Sequence, residues 1–218
     1  MKDKPSEWIA ISDLMAGVMA VVMLMLVLSV LQKNASEMLL KEQLAKVQGE
    51  KNNSISQTIK SLDAMIKSKD ATDIIGLDSQ TNRLILRDGV FERGSACLKP
   101  EARTAIESAQ KYLADFLYNN KDARIFVEGY TDNLPVKSPV TDYERFCTVY
   151  DDNFTLSAAR AREARRYLLG SIDQNTAQRI VVAGYGESKP LSSLDPADPK
   201  NRRVEVLLLI EQSGKTQN

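Results

Sequence analysis

Just beyond its midpoint the chain carries the stretch Gly129-Tyr130-Thr131-Asp132-Asn133. The residues that lead into it, 124–129, show the alternation that predicts a β-strand. Glycine followed by short polar residues is typical of the turn at which a strand ends. The stretch therefore marks a strand end that presents several polar side chains together.

Strand and helix patterns continue on both sides of this stretch. The helical segments have apolar residues every three or four positions, and the strand candidates are short apolar runs. The predicted order, strand–helix–strand–helix–strand–strand, falls on residues 83–86, 100–118, 124–129, 157–169, 180–183 and 204–210. Ser157 is the expected N-cap of the second helix. This order predicts an α/β sandwich of βαβαββ type, with helices on one face of a mixed sheet, over residues 80–213.

The composition excludes several classes of function. The 218 residues contain 29 basic and 29 acidic side chains, without a basic cluster interleaved with aromatics, so we expect no direct nucleic-acid binding. Histidine is absent, and two cysteines 50 residues apart make no zinc-knuckle spacing. The Gly184-x-Gly186 pattern lacks the third glycine of a phosphate-binding loop. We expect a protein that is not an enzyme and that holds no cofactor or metal.

Near the N-terminus lies an apolar stretch, residues 9–31, whose sole formal charge is Asp13. As a helix it would be roughly 34 Å long, against a hydrocarbon core of roughly 30 Å. A cleaved signal peptide is the alternative, but the apolar core is long, it contains an acid, and no A-x-A-like cleavage site follows. We predict an uncleaved membrane anchor, with Trp8 at the interface.

Asp13 shares one helical stripe with the small residues Ala10, Gly17 and Ala20. A carboxylate in a membrane helix costs roughly 2.5–3.5 kcal/mol on insertion scales, so such a residue is usually functional. Ion conduction, with Asp13 as the ion carrier, is the leading hypothesis. The alternative is a helix-dimer interface that tolerates one acid near the membrane edge.

The segment between the anchor and the predicted sandwich, residues 32–79, has a weak helical pattern. Leu40, Leu44 and Val47 are spaced as in a coiled coil, but Gly49 and the following polar patch interrupt the register. We predict a helical stalk, with a partly disordered linker as the alternative. Residues 1–8 are then a cytoplasmic tail, 9–31 the transmembrane helix and 214–218 a flexible tail.

Three segments of the sandwich together resemble the OmpA-like peptidoglycan-binding domain. They are the 129–133 stretch, Asn153-x-x-Leu156-Ser157-x-x-Arg160-Ala161, and Gly184-Tyr185-Gly186-Glu187-Ser188-x-Pro190 followed by Asn201-Arg202-Arg203. The resemblance implies that Asp132 binds the ammonium and Arg160 the carboxylate of a diaminopimelate side chain. It further implies contacts from Thr131, Asn153 and Leu156, and rim contacts from Asn201 and Arg202.

This assignment suits the ligand chemically. One acid and one guanidinium held a fixed distance apart would grip both charged groups of diaminopimelate. The alternative is structural: Asp132 would cap a turn, and Arg160 would lie on a solvated helix face.

An insertion between Asn133 and Asn153 is longer than the family pattern and contains Cys147. Cys97 follows the first predicted strand, and in an oxidising periplasm the two cysteines would pair. Closing a loop of about 51 residues would stabilise the fold by roughly 4 kcal/mol. We predict a disulfide, with two free thiols as the alternative.

The whole plan, an acid-bearing helix, a stalk and a wall-binding domain, resembles the MotB family. Ser12-Asp13-Leu14-Met15-Ala16-Gly17 is similar to that family's motif around its ion-carrying aspartate. The short N-terminal tail, the Met/Val/Leu run and the compact stalk are most similar to the ZorB subunits of Zorya anti-phage defence.

The resemblance implies an inner-membrane protein with a cytoplasmic N-terminus and a periplasmic C-terminal domain. It implies a homodimer surrounded by a ZorA- or MotA-like subunit, five copies to two of this chain, with a proton or sodium ion carried by Asp13. A flagellar stator subunit and a static peptidoglycan tether are the two alternatives.

Overall fold

The computed structural model describes residues 7–170 and 172–211, with the backbone alone at residues 7–10 and 13. Most of the predicted cytoplasmic tail and all of the predicted flexible tail, 214–218, lie outside the described residues. The chain divides into two units, Met1–Glu50 and Lys51–Asn218, and each is treated separately.

The first unit consists of the N-terminal part of helix α1, which runs over Glu7–Ser68. Within the described residues it is one helix long and apolar enough to cross a membrane. Its leucine, valine and methionine side chains are exposed, as the lipid-facing surface of a membrane helix would be. Gly49 and the polar patch after it do not interrupt the helix.

The second unit is built on a five-stranded mixed sheet with the order β1-β2-β5-β3-β4. The strands are β1 (Ile75–Asp78), β2 (Arg83–Leu86), β3 (Ala123–Tyr130), β4 (Ile180–Gly184) and β5 (Arg203–Ile210). β3 and β4 are parallel, and the other pairs are antiparallel. The predicted mixed α/β fold is confirmed. β1 was missed because four residues that include Gly76 show no recognisable alternation.

Helices cover the sheet on the side of its buried aliphatic residues. Two long helices do this, α2 (Pro100–Asn119) and α4 (Asn153–Leu169). The short helices α3 (Tyr143–Phe146) and α5 (Gln174–Ala177) and a 3-10 turn over Pro199–Asn201 lie in the connecting segments. α4 packs across β3 and β4, and α2 packs beside α4. Fully buried Ile125 and Val127 of β3 lie in this core with Leu113 of α2 and Leu168 of α4.

The last turns of α1 belong to this core. Ile55, Ile59, Leu62 and Ile66 are buried in the same cluster as the sheet residues. These residues lie within the predicted stalk, residues 32–79, and their spacing is also that of a coiled-coil seam. Their apolar face is instead covered by the domain, so the unit boundary lies at residues 50/51 rather than 79/80.

Two glycines allow α4 to approach the strand ends closely. A Cβ at Gly129 would lie 2.0 Å from the Ser157 carbonyl oxygen, and one at Gly184 would lie 2.7 Å from the Ala158 backbone. Ser157 is not the N-cap, because α4 begins one turn earlier. The carboxylate of Asp152 caps it by accepting from the Thr155 amide at 2.6 Å.

Candidate functional site

A cleft of about 860 Å³ opens where β3 ends and α4 begins. Its other walls are the loop after β2, the first residues of the insertion and the start of β5. Six of the seven predicted wall-binding residues line it, namely Thr131, Asp132, Asn153, Leu156, Arg160 and Arg202. Residues from three distant parts of the chain therefore meet at one site.

Arg160 projects from α4 into this cleft and is only 6% exposed. Its Nε donates to the Ser95 carbonyl oxygen at 2.9 Å, and its guanidinium carbon lies 5.4 Å from the centre of the Phe91 ring. Burial lowers the pKa of Arg160 to about 10, and the carboxylate of Asp88 opposes that shift. The side chain is still a cation at neutral pH, so it provides a fixed, poorly hydrated positive charge.

The acid predicted to bind the ligand ammonium, Asp132, follows β3 and lines the cleft beside Asp88. Its Oδ2 accepts from Nη1 of Arg202 at 2.6 Å, and Asp88 binds the same guanidinium through both carboxylate oxygens. The hydrogen bonds to Asp88, and then to Asp132, raise the pKa of Arg202. A ligand ammonium would thus meet a carboxylate that already has one cationic partner.

Thr131 offers a polar group without a partner inside the described part of the chain. Its side chain is 3% exposed, and its Oγ1 makes no hydrogen bond there. Its amide donates to the Gly186 carbonyl oxygen at 2.9 Å, which fixes the backbone. A buried hydroxyl is usually hydrogen-bonded, so the Thr131 Oγ1 is available to a further group in the cleft.

Asn153 and Leu156 complete the floor on the first turn of α4. The Asn153 amide donates to the carbonyl oxygens of Asp132 and Leu134, at 3.3 and 3.0 Å. These bonds tie the helix start to the loop that carries the acid.

Asn201 is the predicted site residue that the structure does not bring to the cleft. It is 0% exposed. Its side chain accepts from the Leu191 amide and donates to the carbonyl oxygens of Asp195 and Pro196. It therefore organises the loop before β5, and its neighbour Arg202 supplies the contact at the cleft.

The predicted disulfide between Cys97 and Cys147 is confirmed, with an S–S distance of 2.08 Å and Cα atoms 5.1 Å apart. It joins the loop after β2 to the insertion, and both segments line the cleft.

Several cleft residues were missed by the sequence analysis, among them Asp88, Phe91 and Tyr150. Asp88 follows β2 directly and reaches Arg202 across a sequence separation of 114 residues. Such pairings arise from the sheet order, which brings β2 beside β5, and local patterns do not reveal them. The Asp88-Gly89 dipeptide, which is typical of a turn, was the one sequence feature that could have indicated Asp88.

On the other face of the sheet a buried charge cluster fixes the strands that carry the site. Glu128 of β3 and Glu205 of β5 lie directly opposite each other, and Arg83 of β2 bridges both. Arg203 pairs with Glu205 at 2.6 Å and lies over the Tyr130 ring. Paired charges of this kind hold strand ends in one register.

The proposed ion carrier lies in the other unit. Asp13 is within α1 by its backbone, and its side chain is outside the described residues. In the described part of the chain, no group of three or more Asp, Glu or Cys residues is arranged to hold a metal ion.

The chain matches the family model described as the OmpA family over residues 90–203, more than half of its length. It is 30% identical over 139 residues to Motility protein B of Bacillus subtilis (strain 168), which covers 61% of this chain and 47% of the relative. It is 32% identical over 125 residues to Motility protein B of Escherichia coli (strain K12), covering 57% and 36%. The chain thus spans about half the length of these curated relatives, or less.

Among solved structures, a MotB-like protein from Desulfovibrio vulgaris superposes with a TM-score of 0.56 at 24% identity. The match covers 76% of this chain and 99% of that one. This similarity supports the fold.

The chain belongs to the OmpA family. Beyond this family, the chain is similar to the motility B proteins over the parts given above. One N-terminal apolar helix and an OmpA-family domain fit a single-pass inner-membrane protein.

Proposed function

We propose that this chain is the wall-anchored, ion-carrying subunit of a membrane motor. The observation that carries the proposal is the cleft, where a buried guanidinium and a buried carboxylate are held on separate elements. The same chain has an apolar helix that contains Asp13. The C-terminal domain would bind the cell wall, and the N-terminal helix would take part in ion flow.

The cleft suits a zwitterionic amino-acid side chain such as that of diaminopimelate. Arg160, freed of most of its hydration by burial, would bind the carboxylate through its terminal nitrogens. Asp132 would accept the ammonium while retaining Arg202 as its second partner. The Thr131 hydroxyl would gain the hydrogen bond that it lacks. Leu156 and Phe91 supply apolar contact for the methylene groups between the charges.

Asp13 would alternate between its charged and neutral forms as protons, or sodium ions, pass. A single helix offers this acid no partner within the span, so it requires neighbouring subunits. We propose a homodimer inside a ring of five ZorA- or MotA-like subunits, with the N-terminus cytoplasmic and the C-terminal domain periplasmic. Wall binding would hold this subunit still while the ring moves.

For the cellular process we propose anti-phage defence of the Zorya type, based on the resemblance of the anchor and stalk to ZorB. Flagellar motility is the second candidate, and the names of the curated relatives favour it. A static tether would need no ion carrier.

The motor proposal is tested by phage plating and swimming assays on cells that carry the native gene cluster, comparing wild type with Asp13→Asn. We expect the variant to lose protection, or motility, at normal protein level. Asp13→Glu, which keeps a carboxylate, is the matched control. Full function of Asp13→Asn would contradict ion transport and favour the tether.

The wall-binding proposal is tested separately by co-sedimentation of the full chain with purified peptidoglycan. We expect Asp132→Ala and Arg160→Ala each to weaken binding at least tenfold. Arg124→Ala is the control, because Arg124 is an exposed arginine of β3 paired with Glu211 outside the cleft. Unchanged sedimentation of both cleft variants would refute the site.

A further inference from the structure

The insertion contains the exposed helix α3, which Arg162 of α4 contacts through the Tyr143 hydroxyl and the Cys147 carbonyl oxygen. None of the α3 residues is buried. Its noncovalent ties to the loop after β2 are a bond from the Ala96 amide and one from the Ser95 hydroxyl, both to the Phe146 carbonyl oxygen, and a bond from the Tyr150 hydroxyl to Gly94. The Cys97–Cys147 disulfide is the one covalent tie.

Cys147 occupies a backbone conformation that favours glycine or asparagine. Its φ is 55°, in the left-handed region, directly after α3. A cysteine in this conformation is less favourable for the local backbone than glycine, and the disulfide offsets that cost.

The loop on the other side of the disulfide holds the key cation of the cleft. In the described part of the chain, the one hydrogen bond of Arg160 goes from Nε to the Ser95 carbonyl oxygen. Its guanidinium also stacks on Phe91, whose backbone bridges to Leu98, the residue after Cys97. Both supports of Arg160 therefore lie within the segment that the disulfide clamps.

We propose that the disulfide is the positioning device for Arg160, so that wall binding depends on the oxidation state of Cys97 and Cys147. This inference rests on the proposed function of the cleft. With the bond formed, residues 91–98 are held against the insertion, and Ser95 and Phe91 orient the guanidinium. Without it, the exposed α3 turn separates from this loop and Arg160 loses its fixed orientation.

The reduction step balances with a dithiol reductant. The reductant supplies two electrons and two protons, the S–S bond breaks, and Cys97 and Cys147 become thiols. The reductant is left as its own disulfide. Dithiol oxidoreductases and small dithiols are the two classes of agent able to do this.

The experiment measures co-sedimentation of the full chain in detergent with purified diaminopimelate-containing peptidoglycan. Protein is compared before and after treatment with dithiothreitol, with thiols then blocked. We expect reduction to weaken binding by the wild type at least tenfold. Cys97→Ser combined with Cys147→Ser should bind like the reduced wild type and should not respond to the reductant. Far-UV circular dichroism establishes that both forms retain their helices.

A second variant distinguishes the loss of Arg160 orientation from a general loosening of the domain. Arg160→Lys lacks the Nε–H that Ser95 holds and has no planar group to orient, so it should bind weakly and lose less than threefold on reduction. Equal losses on reduction in wild type and Arg160→Lys would overturn the positioning role. Equal binding of oxidised and reduced wild type would overturn it as well. Absence of binding by the oxidised wild type would overturn the proposed function itself, and this inference with it.

Discussion

Arg202 and Asp132 form an ion pair at the mouth of the cleft, with Nη1 of the arginine 2.6 Å from Oδ2 of the aspartate. The other two nitrogens of Arg202 bind Asp88 in a bidentate arrangement, at 3.0 and 2.8 Å. The acid assigned to the ligand ammonium is thus oriented by an arginine that directly precedes β5. This arrangement fixes the carboxylate in advance of binding, at the cost of a competing cation.

Replacing Arg202 by alanine is expected to lower the free energy of unfolding by about 1–2 kcal/mol, since Asp132 would stay buried without its cation. The loss is below that of a fully buried pair because the Arg202 side chain is 30% exposed and solvent screens it. Urea unfolding of the full chain, followed by near-UV circular dichroism, measures the change. Arg124→Ala, which removes an exposed pair, should stay within about 0.5 kcal/mol of wild type.

Binding by the Arg202→Ala variant gives an independent check of the site. Because the acid remains, the variant should retain more peptidoglycan affinity than Asp132→Ala. Affinity equal to that of Asp132→Ala would mean that Arg202 itself contacts the ligand.

The fold could be predicted from the sequence because helical periodicity and the order of the motifs can be seen directly in it. The pattern at residues 100–118 predicted helix α2, and the buried face of that helix includes Ile106 and Leu113. The misplaced boundary at residue 79 has a physical reason: an apolar stripe shows that a face is covered and does not show what covers it. Ile59 and Leu62 therefore fit a coiled coil as well as a domain core.

Only part of the candidate site could be predicted from the sequence, for a related reason. Motif positions indicated Asp132 and Arg160. Their partners were not indicated, because Asp88, which shares Arg202 with Asp132, and Ser95, which accepts from Arg160, are brought to the cleft by the sheet order and the loop after β2. Asn201 was assigned to the rim, together with Arg202, from the resemblance to the OmpA-like domain. The two neighbouring side chains point to different places: Asn201 binds the loop before β5, and Arg202 binds Asp132.

Acid should weaken the start of α4. The hydrogen bond from the Thr155 amide holds the pKa of Asp152 below the ordinary value of an aspartate. A carboxyl with a lowered folded-state pKa contributes stability above the unfolded value, and this contribution is lost as pH falls through the folded value. The Thr155 amide resonance should therefore shift as the pH is lowered below about 4.

Asp152→Asn is the matched control for this titration, because asparagine caps a helix without ionising. Its Thr155 amide should show no such shift. A titration of that amide in Asp152→Asn identical to wild type would contradict the assignment of the cap.

Gly129→Ala is expected to destabilise the domain by about 3 kcal/mol or more, by overpacking against backbone that cannot move aside. The added Cβ would meet the Ser157 carbonyl oxygen at 2.0 Å, so α4 would have to shift away from β3. Gly76→Ala is the control, since its Cβ would only touch the flexible Arg87 side chain at 3.4 Å. Thermal unfolding of both variants checks this, and equal midpoints would contradict the close approach of α4.

The charge cluster behind the site predicts a compensating pair of substitutions. Arg83→Met removes the cation that bridges Glu128 and Glu205, which face each other on adjacent strands. Two buried carboxylates would then share the one remaining arginine, Arg203, and we expect a loss of about 2–3 kcal/mol. Adding Glu128→Gln removes one of the two like charges and should recover at least half of that loss. Urea unfolding of the wild type, both single variants and the double variant measures the coupling. Strictly additive losses would show that repulsion between the two glutamates is not what Arg83 relieves.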